Sequence, residues 1–72
     1  MANSPKHILL VEDDVDICNA IKLLLGQSGF SVETSSTVAT ALDIAAHEHF
    51  DLFILDTFLK DGTGLELCRK IR

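Results

Sequence analysis

Cysteine is scarce in this chain. Cys18 and Cys68 are its only two, too few for a disulfide framework and at no metal-binding spacing. Both are read as reduced core residues of a cytosolic protein. Basic residues are also few: six Lys and Arg stand against eleven Asp and Glu, for a formal net charge of −5. That balance argues against a nucleic-acid surface in these residues. No apolar run approaches the roughly 20 residues that a membrane span needs. The opening MANSPKH is polar and only four apolar residues follow it, which excludes a signal peptide. No GxxxxGK[ST] or GxGxxG pattern is present, so Gly62 and Gly64 are read as turn residues rather than a phosphate cradle. The expectation is a soluble, cytoplasmic segment.

What remains is apolar for so short a chain. Hydrophobic residues make up 47% of the 72 positions and mean hydropathy is +0.29, which argues against disorder. At this length there is one domain at most, burying only roughly 60% of its unfolded surface. Residues 1–7 form a lead and residues 8–72 the domain.

Along the domain the hydrophobic period changes repeatedly. Ile8–Val11 is a continuous apolar run, the pattern of a strand buried on both faces. From about 14 to 26, Ile17, Cys18, Ile21, Leu24 and Leu25 fall on one helical face. Asp14 is the candidate N-cap, Asp14 and Asp16 suit the helix dipole, and Gly26 and Gly29 are expected to end the helix. Residues 30–35 alternate, with Phe30, Val32 and Thr34 opposite Ser31, Glu33 and Ser35, as in a half-exposed edge strand. Ser36 or Thr37 can cap a second helix over 38–49. Residues 52–55 are a third, wholly apolar strand, and a third helix spans 64–72. Phe30, Phe50, Phe53 and Phe58 are read as core.

The order β-α-β-α-β-α predicts a parallel sheet with helices on its faces. Right-handed crossovers and the edge-like second strand favour the order 2-1-3. Strands one and three then lie side by side, about 4.8 Å apart, with their C-terminal tips at a topological switch point, where open α/β sheets bind ligands. Glu12 and Asp13 leave one tip and Asp56 the other. Three converging carboxylates repel one another unless a counter-ion intervenes. Mg2+, a hard cation that takes oxygen ligands, is the simple remedy. Other acids have plainer readings: Asp14 and Asp16 start a helix and Asp51 solvates a strand entrance. His47 and His49, two residues apart, point to different helical faces, so His47-Glu48-His49 is read as a solvated helix end.

The motifs I-L-L-V-E-D-D at 8–14, S-G-F-S-V-E-T at 28–34, F-D-L-F-I-L-D at 50–56 and L-x-D-G-T-G-L-E-L at 59–67 together resemble the receiver domain of two-component response regulators. The resemblance implies a flavodoxin-like fold, truncated here after the third βα unit. It implies that Asp56 is the phosphoacceptor, fed by a sensor histidine kinase or phosphotransfer protein. Asp13 and Glu12 would hold Mg2+ with Asp56 and the backbone carbonyl of Phe58. Such a module assists its own phosphorylation and dephosphorylation without being a metabolic enzyme, and it switches a partner or an output domain beyond Arg72. An aspartyl-phosphate hydrolase of the haloacid dehalogenase type would carry a second Asp where Phe58 stands, and is discarded.

Two departures from the family pattern stand out. Lys60 replaces the usual loop proline, which frees φ and restores an N–H; the lysine is read as solvated. The family's two further strands, with their Thr or Ser and their Lys, have no counterpart in these residues. The chain is therefore expected to be a fragment, or to complete its sheet through the bare edge of its third strand. The alternative function is a truncated or pseudo-receiver, acting in interaction or dimerisation without phosphorylation.

Overall fold

The computed structural model describes residues 5–56 and 58–71. Three parallel strands carry the fold: β1 (His7–Val11), β2 (Ser31–Ser35) and β3 (Leu52–Leu55). Their order is β2-β1-β3, as the crossover argument requires. β1 pairs with β2 from His7↔Ser31 to Val11↔Ser35, and with β3 from Ile8↔Leu52 to Val11↔Leu55. Ile8, Leu9, Leu10 and Val11 are completely buried, because a central parallel strand is covered on both faces and has no solvent side for a polar residue.

α1 spans Val15–Gln27. The Asp14 side chain accepts from the N–H of Asp16 at 2.9 Å and of Ile17 at 3.1 Å, so it caps as expected. Gly26 does not end the helix. The stop is Gly29, the only described residue with positive φ, at +93°. There the Phe30 N–H reaches the Leu25 carbonyl and the Gly29 N–H the Gly26 carbonyl, both at 3.1 Å, the Schellman closure that a left-handed glycine permits.

α2 spans Val38–His47. Thr37 is its cap, accepting from the Thr40 N–H at 3.1 Å. The helix stops two residues short of the expected 49, because Glu48 turns extended, with φ −133° and ψ 149°, to bring the chain down to β3. α3 spans Gly64–Ile71, and Thr63 Oγ1 accepts from the Glu66 N–H at 3.1 Å. The expected end at Arg72 and the first four residues of the lead lie outside the described residues, while His7 belongs to β1 rather than to the lead.

The segment expected to be a loop before α3 is a small antiparallel hairpin, β4 (Phe58–Leu59) and β5 (Gly62–Thr63), turning at Lys60 and Asp61. Two-residue strands carry no hydrophobic period, so the pattern could not announce them.

Right-handed crossovers in this strand order place α1 on one face and α2 on the other. Leu9, Val11, Val38, Ala41, Phe50, Leu59 and Leu67 form one buried cluster, with Phe53, Leu55 and Ile71 packed against it. The α1 face is thinner. No residue of α1 is buried; of its expected stripe, Cys18, Ile21 and Leu25 are half-buried while Ile17 and Leu24 are exposed. Phe30 is also exposed rather than core. The Phe58 side chain falls outside the described residues. Cys18 and Cys68 are both free and half-buried.

Candidate functional site

Two hydrogen bonds carry the sheet one residue past its strands. The Glu12 N–H donates to the Ser35 carbonyl at 3.0 Å and the Asp56 N–H to the Val11 carbonyl at 2.9 Å. Glu12 and Asp56 are thereby fixed at neighbouring strand tips, with Asp13 next along. Glu12, Asp13 and Asp56, all half-buried, each present a carboxylate oxygen within 4.8 Å of the others. An open cleft of about 280 Å³ adjoins Glu12 and Asp13, bounded also by Cys18, Asn19 and Ser36; Asp56 does not line it.

The electrostatics follow from this crowding. The Asp14 N–H, donating to Glu12 Oε2 at 3.1 Å, pulls the Glu12 pKa down. Burial, the hydrogen-bonding and charge of Asp56, and the nearby Asp13 carboxyl all push it up, and the net direction is upward. A carboxyl group held near two others resists ionising until something positive offsets them. The donor set is oxygen only, which fits a hard divalent cation better than a soft one.

The main chain around Asp56 is held from two sides. A Cβ at Gly64 would run into the Asp56 carbonyl oxygen, so α3 approaches the tip of β3 as closely as only glycine allows. Asp61, in the turn of the hairpin, accepts from the N–H of Val38 at 2.7 Å and of Ala39 at 3.0 Å. These two donors, Val38 first, hold its carboxyl below the usual range. A residue 23 positions away thus caps α2 alongside Thr37. Sequence reading missed this role, since a distant cap leaves no local signature.

A family model, the response regulator receiver domain, matches residues 8–72. The chain belongs to this family. Response regulator ArlR of Staphylococcus aureus is 40% identical over 66 residues, covering 92% of this chain and 30% of that protein. Among solved structures, a CheY-like receiver domain from Methylobacillus flagellatus superposes with a TM-score of 0.92 at 29% identity, covering 96% of this chain and 58% of that one. Response regulator TrrA, solved in complex with histidine kinase ThkA, gives a TM-score of 0.88 at 33% identity, covering 93% of this chain and 58% of the matched one. The receiver described here thus spans less than a third of the curated relative and just over half of the matched structures.

Of the residues expected at the site, the receiver brings Glu12, Asp13 and Asp56 together. Phe58 lies two residues on, opening the hairpin opposite Thr63. Lys60 is exposed at the turn. His47 and His49 point apart, the first toward the Asp43 carbonyl at 2.7 Å and the second toward Asp51 at 3.8 Å. No described helix is long and apolar enough to cross a membrane.

Proposed function

We propose that this receiver accepts a phosphoryl group on Asp56 from a histidine kinase or phosphotransfer protein, and so switches a partner or an output domain beyond Arg72. The observation that carries the reading is the meeting of three carboxylates at two strand tips in a chain of this family. An Asp56 carboxylate oxygen attacks phosphorus, the P–N bond to the donor imidazole breaks, and an acyl phosphate remains. Glu12, Asp13, Asp56 and the Phe58 main-chain carbonyl would hold Mg2+. When bound, the ion neutralises charge on the phosphoryl oxygens and orients them. Glu12 and Asp13 would supply the negative charge that holds the cation, and the Asp56 main chain is fixed by its N–H bond to the Val11 carbonyl. The module is a cytoplasmic phosphoacceptor that assists its own turnover, not a metabolic enzyme.

Dimerisation is a second reading. Among the described residues β3 pairs only with β1, and Leu52 on it is 51% exposed, so its outer edge can accept another strand.

Intact-mass spectrometry after incubation with acetyl phosphate tests the main reading. One phosphoryl adduct is expected, dependent on Mg2+ and absent in Asp56→Asn. A folded chain that gains no adduct, or gains it equally in Asp56→Asn, rules out the reading.

A further inference from the structure

Three other ligating side chains meet on the fold, well away from the acidic crevice. His7 opens β1, Glu33 sits in the middle of β2 and Glu48 follows α2, and their ligand atoms all lie within 4.8 Å of one another. The register explains the meeting. His7 pairs with Ser31 and Leu9 with Glu33, and parallel partners share a face, so His7 and Glu33 are near neighbours on the α2 side of the sheet. Glu48 reaches them because the chain turns extended as α2 ends.

His7 offers a ring nitrogen to this cluster. His7 Nδ1 lies 3.0 Å from the His49 carbonyl oxygen. A carbonyl only accepts, so Nδ1 carries a proton, and in the neutral ring Nε2 is the nitrogen with a lone pair to give. Metal-bound histidines are commonly fixed by this kind of outer hydrogen bond. The ring also stacks on Phe50, with centroids 4.3 Å apart, and the His7 N–H donates to Asp51 Oδ2 at 2.8 Å. A carboxylate oxygen of Glu33 and one of Glu48 lie within 4.8 Å of each other. Two adjoining carboxylates call for a shared proton or a cation.

We propose that His7, Glu33 and Glu48 form a second cation site, taking a borderline first-row divalent ion such as Zn2+. One imidazole nitrogen and two carboxylate oxygens select against Mg2+ and Ca2+, which favour all-oxygen sites. Three protein ligands leave the fourth tetrahedral position to water. The site is separate from the Glu12–Asp13–Asp56 crevice, five residues of β1 or about 16 Å away. An ion here ties the edge strand β2 to β1 and to the end of α2.

Calorimetric titration of the full chain with Zn2+, with Mg2+ in excess, tests the proposal. One saturable equivalent is expected, with affinity falling at least about tenfold in Glu48→Gln and in Glu33→Gln. Glu48 is exposed, so its amide variant keeps the fold, as circular dichroism verifies. His47→Ala and Cys68→Ser are expected to bind as the parent does. The His7 ring resonances should shift with the first equivalent of Zn2+ in nuclear magnetic resonance spectra. The proposal is overturned if Zn2+ does not bind saturably, if both amide variants bind unchanged, or if His47→Ala or Cys68→Ser abolishes binding.

Discussion

Replacing glycine by alanine is expected to have opposite effects at two positions, and the pair tests the packing behind Asp56. At Gly64 a Cβ collides with the Asp56 carbonyl oxygen and stands 3.1 Å from its carbon and 3.3 Å from Leu55 Cβ. Those atoms are the Asp56 main chain and the root of a side chain on a paired strand, so relief requires a main-chain shift. Overpacking costs about 1–3 kcal/mol, and an outright collision with main chain belongs in the upper part of that range, about 2–3 kcal/mol. The better helix propensity of alanine returns at most about 1 kcal/mol, leaving a net loss of about 1–2 kcal/mol. At Gly26, inside α1, a Cβ meets nothing within 4 Å, so alanine should stabilise by about 0.5–1 kcal/mol. A domain of this size has roughly 4–10 kcal/mol in all, so both effects are readable by urea unfolding. With a slope near 1 kcal/mol/M, Gly64→Ala lowers the midpoint by about 1–2 M and Gly26→Ala raises it by about 0.5–1 M. The slope should be unchanged in both. A Gly64→Ala chain at or above the parent midpoint would refute the close-approach account, and a destabilised Gly26→Ala would refute the propensity argument.

Other outcomes follow from the same structure. Leu67, completely buried in the α2–α3 cluster, should cost about 2–5 kcal/mol as Leu67→Ala, read as a lower urea midpoint. Asp61 has a depressed pKa, so its cap is at full strength above the ordinary value of 3.8 and fades as pH falls through the lowered one. Asp61→Asn should therefore lose stability at neutral pH and show a smaller acid-induced fall than the parent. Glu12 carries the opposite sign: its pKa is raised, so stability declines as pH climbs from 4.5 through the raised value. Mg2+ should restore that loss at neutral pH, by about 2.7 kcal/mol at a hundredfold excess over Kd, and Asp56→Asn should blunt the effect. Thermal melts with and without the ion measure it.

The parts of the fold that follow from chain-local patterns were legible. Ile8–Val11 announced the central strand through an unbroken apolar run; Leu52–Leu55 announced a strand in the same way, yet among the described residues it lies at the sheet edge with no residue fully buried. The candidate site followed from the acids at the ends of these two runs. The illegible parts depend on contacts between distant residues. The Asp61 carboxylate caps a helix that begins 23 residues earlier, a pairing set by tertiary approach. Gly64 looked like a turn glycine, but the close approach of the Asp56 carbonyl is what requires it. His7 read as a polar lead because only the β1–β2 register brings it to Glu33. The stripe of α1 was identified as a helix face, yet an apolar pattern says nothing about whether a neighbour is there to cover it.

That uncovered α1 has a kinetic consequence. Amide exchange reports local opening, which is easiest where few side chains are buried. α1 has none and is followed by exposed residues, whereas β1 is sealed on both faces. The α1 amides should therefore exchange first and those of β1 last. Asp13 lies between them, one residue before the Asp14 cap. The acidic crevice thus straddles the boundary between the slowest and the fastest parts of the molecule, with Asp56 and Glu12 anchored to the slow side and Asp13 next to the fast one.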